Sequence, residues 1–488
     1  SFDKYIESNK NKKGTTEVDA AFLQEIERWR ELLARNIALR NPDLSQQELN
    51  FSVQQTIDRI VFLRICEDRG MEPYGALMAL QNGENVYNRL FALFNKADEK
   101  YNSGLFHFNR EKGRENFDSL TPALRIDDRP LKDIFKNLYY PDSPYEFSVL
   151  SADILGQVYE KFLGKVIRLT SGHQAKIEEK PEVRKAGGVY YTPGYIVDYI
   201  VRNTLGKLVE GKKPGPRGGV SHLKILDPAC GSGSFLIGAY QFLLDWHRDQ
   251  YIQDGPENWS KGKTPSIYQS RKGEWRLTTG ERKRILLNNI YGVDIDHQAV
   301  EVTKLSLLLK MLEGEDEQIK QMFIVRVRIL PDLSHNIKCG NSLIGPDFYD
   351  HQQASLFDEE EIFRVNAFDW NAEFADIMKE GGFDAVIGNP PYVRQESLGA
   401  DFKKYAKTRY SAFFGTADLY VYFIEQAHRL LKPGGLFGYI CSNKFMRANY
   451  GGPLRSFLAT KASLRQLVDF GELPVFSGAA TFPVIVLT

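Results

Sequence analysis

Asn389-Pro390-Pro391-Tyr392 closes the β-rich run Phe383-Asp384-Ala385-Val386-Ile387-Gly388, and it is the stretch of this chain best suited to chemistry. A run that stops at two prolines, neither able to donate to a ladder, predicts a buried strand ending at a loop. In an open α/β sheet, ligands bind at the carboxyl ends of strands. There the Asn389 amide oxygen and the Pro390 carbonyl can both accept from an exocyclic amine, while Tyr392 stacks on the ring that carries it. The set predicts methylation of a nucleobase amine, on condition that a cofactor site lies upstream.

Such a site is written at Leu223-Lys224-Ile225-Leu226-Asp227-Pro228-Ala229-Cys230-Gly231-Ser232-Gly233-Ser234-Phe235, a strand, a glycine-rich turn and a helix start. Gly231 and Gly233 let backbone approach a ligand, and Asp227 closes the strand with a carboxylate. The third glycine of the dinucleotide fingerprint is missing, and an acid-Pro pair precedes the turn. A carboxylate there suits an ammonium or sulfonium better than a pyrophosphate. The next strand, Ile290-Tyr291-Gly292-Val293-Asp294, ends in an acid where nucleotide-binding folds take a ribose hydroxyl; Asp296 is expected to cap the following helix. A third strand, Ile337-Lys338-Cys339, leads to Asn341, which either reads an adenine edge or makes a turn. Thr192-Pro193 reads on its own as a helix cap followed by proline at the first helical position.

The elements that must position these residues follow from periodicity. Phe22, Ile26, Trp29, Leu33 and Ile37 mark one helix, ended by Asn41-Pro42. Ser45 with Glu48 is a capping box that opens a second, with Val53, Ile57, Ile60, Val61 and Ile65 inside and Gly70 as its stop. Ile154, Leu155, Val158, Tyr159, Phe162 and Leu163 mark a third. Segment 166–188 reads as a mobile connector, 250–284 as a polar insertion and 394–416 as a polar, basic loop beside the catalytic stretch. A helix through Leu419, Phe423, Ile424, Ala427, Leu430 and Leu431 is expected to stop at Lys432-Pro433-Gly434-Gly435, before a strand from Leu436 to Cys441. Phe476 and Phe482 flank a small-residue loop and are expected in the core.

Composition sets outer bounds. The chain has 488 residues, enough for several domains, with 63 basic and 63 acidic side chains. Balanced charge argues against a uniformly basic nucleic-acid binder, although phosphate contacts need clustering rather than a net excess. The four cysteines, Cys66, Cys230, Cys339 and Cys441, lie far apart without a C-x-x-C pair, so neither a zinc site nor a disulfide framework is expected, and a reducing cytoplasm fits. No membrane crossing and no secretory signal are expected.

In this order the pieces resemble the S-adenosylmethionine-dependent DNA adenine-N6 methyltransferases of restriction-modification systems. Within them the chain looks most like the methylase portion of the combined type IIG enzymes, with type I modification subunits as near relatives. The resemblance is strong over 188–488 and looser over 15–165. It implies an α/β fold: a Rossmann-like, mostly parallel methyltransferase sheet with helices on both faces over 181–488, preceded by an all-α domain over 1–180. By position, Tyr191, Thr192 and Pro193 match the segment at the methionine end of the cofactor, and Asp227, Ala229, Gly231 and Gly233 match the main cofactor loop. Asp294 matches the ribose-binding acid and Phe423 an aromatic of the adenine pocket. Asn341 stands where the family often has an acid. Asn389, Pro390, Pro391 and Tyr392 match the catalytic motif, and Phe476 an aromatic packing on the flipped base. The implied cofactor is S-adenosylmethionine, the partner double-stranded DNA and the metal requirement none.

Cytosine-N4 methylation shares this site, as do glutamine methylation of proteins and some RNA methylation. A non-catalytic cofactor-binding scaffold is a reading of a different class. A nuclease would need clustered acids and a lysine around a metal, and no such set stands in a strand context. A nuclease is therefore expected before Ser1 and a target-recognition domain after Thr488, in the same parent chain or in partner subunits.

Overall fold

In the computed structural model the stripe Phe22, Ile26, Trp29, Leu33 and Ile37 is buried along helix α1 (Thr16–Arg40), as its spacing predicts. The structure describes residues 16–101, 104–110, 117–143, 147, 152–179, 192–217, 219–313, 330–349, 364–393, 399–473, 475–476 and 482–488. Its contacts divide it into two units, Ser1–Lys180 with Lys304–Leu333, and Pro181–Thr303 with Ser334–Thr488. No helix among the described residues is long and apolar enough to cross a membrane.

In the first unit α1 packs on α2 (Gln46–Asp68), whose start is the expected capping box: Glu48 N–H donates to Ser45 Oγ, and Ser45 N–H donates to the Glu48 carboxylate at 2.8 Å. α2 is covered almost all round, so its charges need internal partners. Arg59 donates to the Leu105 carbonyl at 2.8 Å and to Thr121 Oγ1 and the Asp118 carboxylate, both at 2.7 Å. Helices α3 (Val86–Tyr101), α4 (Asp128–Lys136) and α5 (Ala152–Leu163) follow. The connector expected from residue 166 is in fact a hairpin over its described part. β1 (Lys165–Leu169) pairs antiparallel with β2 (Ala175–Glu179) around Ile167↔Ile177. Charged residues between the apolar ones conceal the alternation, and Ile167 is the one residue of β1 in the buried class.

The second unit is built on a sheet whose central strands, Ile225–Asp227 and Ile290–Asp294 among them, are apolar and covered on both faces. In chain order it runs α6 (Gly194–Leu208), β3 (Ile225–Asp227), α7 (Ser234–Gln253), the small hairpin β4 (Ile267–Gln269) and β5 (Trp275–Leu277), α8 (Thr279–Asn289) and β6 (Ile290–Asp294). Helix α9 (His297–Met311, of which the residues up to Thr303 belong to this unit), β7 (Ile337–Cys339), β8 (Phe383–Gly388), α10 (Gly399–Arg409), α11 (Tyr420–Leu430), β9 (Leu431–Ser442), α12 (Gly452–Lys461), β10 (Gln466–Asp469) and β11 (Pro483–Leu487) follow. Seven strands form one sheet in the order β10-β11-β9-β8-β3-β6-β7; β9 to β7 run parallel, and β11 is antiparallel to both its neighbours. The chain leaves β3 outward through β6 and β7, then returns to the opposite side of β3 as β8. That reversal opens a crevice between the carboxyl ends of β3 and β8, where open α/β sheets bind ligands.

Helix α6 covers one face, so close that a methyl on Gly438 would stand 2.8 Å from Ile200 Cγ2. Helix α11 covers the other in an apolar cluster with Leu226, Val386, Phe437 and Val486. The fold is thus the mostly parallel, two-faced α/β sheet that the resemblance implied. Three local expectations change. The loop read over 394–416 contains α10, the insertion contains β4, β5 and α8, and β9 begins at Leu431 rather than Leu436. The last follows from an irregularity: Phe383 pairs with Leu431 and Ala385 with Leu436, so Lys432–Gly435 is accommodated opposite the single residue Asp384.

Candidate functional site

The glycine turn leaves β3 at Asp227 and enters α7 through Gly231 (φ 53°) and Gly233 (φ 88°), a left-handed backbone that favours glycine. Four of the hydrogen bonds that hold it are these. Cys230 N–H donates to the Val293 carbonyl at 3.1 Å, Gly233 N–H to the Cys230 carbonyl at 2.8 Å, and Thr303 Oγ1 to the Gly231 carbonyl at 2.8 Å. The fourth joins two candidate residues directly: Gly231 N–H donates to Asp294 Oδ2 at 2.9 Å. Asp294 Oδ1 accepts from Asp296 N–H at 2.9 Å, and Asp296 in turn accepts from Gln298 N–H at 3.0 Å, at the start of α9. Asp227 is buried and accepts from Ala229 N–H at 3.1 Å. Between the two acids lies the Cys230 thiol. Burial, and then the Asp294 and Asp227 carboxylates, push it well above the usual thiol range, so it packs as a neutral group.

Beside the turn, Ser342 Oγ donates to the Pro228 carbonyl at 2.6 Å. Its neighbour Asn341 spends its amide on its own surroundings: Oδ1 accepts from Leu343 N–H at 3.1 Å and Nδ2 donates to the Val365 carbonyl at 3.2 Å. The first is the bond of a turn, and the second ties that turn to a segment 24 residues on. Phe423 is buried on α11.

Across the crevice, Gly388 brings β8 so near to β3 that a methyl there would lie 2.7 Å from Asp227 Oδ1. Asn389 follows at once. Its Nδ2 donates to the hydroxyl of Thr192 at 3.1 Å, while its Oδ1 is buried without a hydrogen-bond partner. A buried acceptor left open costs free energy; other such atoms occur among the described residues, Gln54 Oε1 and Asn289 Oδ1 among them, and what sets Asn389 Oδ1 apart is its place at the crevice beside Tyr392. Pro390 is buried and Pro391 exposed. The Tyr392 ring is half-buried; its hydroxyl end is enclosed, lies 3.4 Å from the Ile440 carbonyl, and is pushed well above the usual phenol range by burial.

Two aromatic edges bracket the Tyr392 ring. Tyr420 stands 6.1 Å away at 81° and Phe476 6.4 Å away at 70°, centroid to centroid. Of the two phenylalanines expected in the core, Phe476 is 3% exposed and Phe482 41%, so only the first is covered. The structure therefore brings Thr192, Asn389, Tyr392 and Phe476 into one cluster, and Asp227, Ala229, Gly231, Gly233 and Asp294 into another at the adjacent strand ends. Pro193 precedes α6. Tyr191 lies outside the described residues, as do Arg394 and Ser477–Thr481 of the two loops.

Sequence reasoning missed what stands behind Tyr392. The Tyr420 hydroxyl shares a 3.1 Å hydrogen bond with that of Tyr450, which donates to Asp418 at 3.3 Å. Leu419 N–H donates to the Val393 carbonyl at 2.7 Å and ties the loop after Tyr392 to the start of α11. The aromatic-rich run from Asp418 to Phe423 was the available signal.

The donor set fits a ligand with a cationic group and a diol at Asp227 and Asp294, and a second ligand bearing an N–H at Asn389. No group of three or more His, Cys, Asp or Glu among the described residues can hold a metal ion.

The chain matches the family described as N-6 DNA Methylase over residues 150–322, and that described as Eco57I restriction-modification methylase over 288–476. It is similar to the type II restriction enzyme and methyltransferase RM.Eco57I of Escherichia coli, 35% identical over 484 residues, which are 99% of this chain and 44% of that protein. It is also similar to the type II methyltransferase M.BanIII of Aneurinibacillus aneurinilyticus, 27% identical over 308 residues, 62% of this chain and 38% of that one. The matched stretch thus covers less than half of either relative. Among solved structures, the type IIL restriction-modification enzyme MmeI in complex with DNA superposes with a TM-score of 0.58 at 15% identity, over 95% of this chain and 56% of that one. At that identity the likeness is one of fold.

Proposed function

We propose, from the premise that the chain belongs to the DNA adenine-N6 methyltransferases of restriction-modification systems, that it transfers a methyl group from S-adenosylmethionine to the N6 amine of an adenine swung out of a DNA duplex. The observation that carries this reading is the open acceptor: Asn389 Oδ1 is buried and unpartnered, one residue beyond the crevice and three before an aromatic ring.

S-adenosylmethionine, when bound, supplies a methyl carbon made electrophilic by its sulfonium. Asp227 holds its ammonium end, Asp294 the ribose hydroxyls, and the backbone of Ala229, Gly231 and Gly233 lies along it. Thr192 and Pro193 face the methionine end, and Phe423 lines the adenine pocket. Asn341, its amide engaged in a turn, shapes the loop beside that pocket.

The amine of adenine is a poor nucleophile because its lone pair is delocalised into the ring. Asn389 Oδ1 and the Pro390 carbonyl accept its two hydrogens, which favours a tetrahedral nitrogen with its lone pair directed at the methyl carbon. The gain is orientation and electrostatics. Taking the base out of the duplex costs a few kcal/mol. Stacking on Tyr392, with Phe476 at its edge, returns roughly 1–3 kcal/mol of that. DNA is the partner and a reducing cytoplasm the setting.

Radiolabelled methyl transfer to DNA of mixed sequence tests the reading. Asn389→Ala is expected to lower the rate by about 10²–10³-fold, the usual cost of losing one aimed hydrogen-bonding group. Equal labelling by the two proteins refutes it.

A further inference from the structure

An amide has two ends of nearly equal size, and only one of them is useful at position 389. With its oxygen toward the base it accepts an amine hydrogen; turned over, it presents an N–H to an N–H and repels it. Something must choose. The side chain in hydrogen-bond contact with the Asn389 amide is Thr192, 5% exposed, whose hydroxyl accepts from Nδ2 at 3.1 Å. A hydroxyl, however, carries one hydrogen and two acceptor sites, so on its own it tolerates either orientation: it can accept from Nδ2 or donate to Oδ1. The choice becomes one-sided only when the hydroxyl hydrogen is claimed by another acceptor.

We infer that Thr192 is a positioning residue that turns the Asn389 carbonyl toward the base, and that the carboxylate of the bound methyl donor enforces this by taking the Thr192 hydroxyl hydrogen. The inference rests on the functional reading above, which seats the amino-acid end of the donor at Thr192. The resulting chain is carboxylate, Thr192 hydroxyl, Asn389 amide, adenine amine, each accepting a hydrogen from the next. Occupancy of the donor site thereby prepares the base site before any base arrives, and an empty donor site leaves the amide free to face either way. The chain also explains why an orphaned acceptor is tolerated: its partner comes with the substrate, while the nitrogen of the same amide stays bonded to the protein.

The test labels the full chain with 15N-asparagine and follows solvent exchange of the Asn389 side-chain amide protons, identified as the signals absent from Asn389→Ala. S-adenosylhomocysteine, which keeps the carboxylate, is compared with methylthioadenosine, which has the same nucleoside and no amino-acid part. S-adenosylhomocysteine is expected to slow exchange several-fold in the wild type and in Thr192→Ser, while methylthioadenosine leaves it unchanged. Thr192→Val, equal in size and without the hydroxyl, is expected to lose the response while still binding S-adenosylhomocysteine, and to lose about 10-fold in kcat/KM, in keeping with one hydrogen bond. Retention of the response in Thr192→Val, or an equal response to both ligands in the wild type, overturns the inference and leaves the functional reading standing. Failure of the wild type to bind S-adenosylhomocysteine in calorimetry overturns both.

Discussion

Replacing Gly388 with alanine puts a methyl group 2.7 Å from Asp227 Oδ1 and 3.1 Å from its Cγ. Nonbonded carbon contacts are comfortable near 3.5 Å, so the carboxylate or the strand must give by roughly 0.5–1 Å. Neither yields easily. Asp227 is buried at the end of β3 and bonded to Ala229 N–H at 3.1 Å, and β8 is paired on both sides. Overpacking of this kind costs about 1–3 kcal/mol of stability. The functional cost is larger, because a binding constellation tolerates about 0.5 Å and a 1 Å displacement costs on the order of 10²-fold. Gly388→Ala is therefore expected to weaken S-adenosylhomocysteine binding by about 10–100-fold in calorimetry, with a modest fall in melting temperature. A double-mutant cycle with Asp227→Ala isolates the cause. Alanine at 388 must destabilise the chain less when the carboxylate is gone. Unchanged affinity in Gly388→Ala, or additive losses of stability in the double variant, refutes the claim that these two strand ends are packed to define the site.

Three further outcomes are expected. Phe476→Ala removes one edge of the Tyr392 bracket and is expected to raise the KM for DNA by the equivalent of roughly 1–3 kcal/mol, with S-adenosylhomocysteine affinity in calorimetry nearly unchanged. His247 is neutral in the fold, its pKa lowered to about 4, chiefly by burial, with the Arg284 guanidinium adding to it against the Leu243 carbonyl and Glu281. The unfolded chain takes up the proton near its ordinary value of 6.5 and the folded chain does not. Stability is thus lost as pH falls from about 6.5 toward 4, by roughly 2 kcal/mol at pH 5; His247→Gln is expected to flatten that part of the melting-temperature profile, and parallel profiles contradict the assignment. Tyr420→Phe keeps the ring beside Tyr392 and removes its bond to Tyr450, so methyl transfer is expected to stay within a few-fold, whereas Tyr420→Ala is expected to lose at least 10-fold. Equal rates in the two variants contradict a bracket made by the ring.

The parts of the site that were legible from sequence are those written by punctuation. Two prolines after β8, and glycines after β3, mark strand ends whatever the tertiary context, and both stand at the crevice. The burial of Phe476 was legible from its type, but its place beside Tyr392 was reachable only through the family resemblance, because the distance from 392 to 476 along the chain says nothing of a 6.4 Å contact. Tyr420 and Tyr450 carried no motif, and their role exists only once α11 is folded against the Asn389 loop. Polar elements were misread for a different reason. Helix α10 buries little beyond Phe402 and Ala406, too narrow a stripe to stand out against its lysines, and the hairpin at 165–179 hides its alternation among charges.

The bond from Leu419 to the Val393 carbonyl has a consequence for anyone who would move this chemistry elsewhere. It staples the tetrapeptide to a helix whose next residue backs the stacking ring, and whose residue one turn on, Phe423, faces the same side. Grafting Asn389–Tyr392 onto a foreign strand would transplant the letters without their scaffold. A graft needs the start of α11 as well as β8 and the tetrapeptide, and its host must offer a hydroxyl where Thr192 stands.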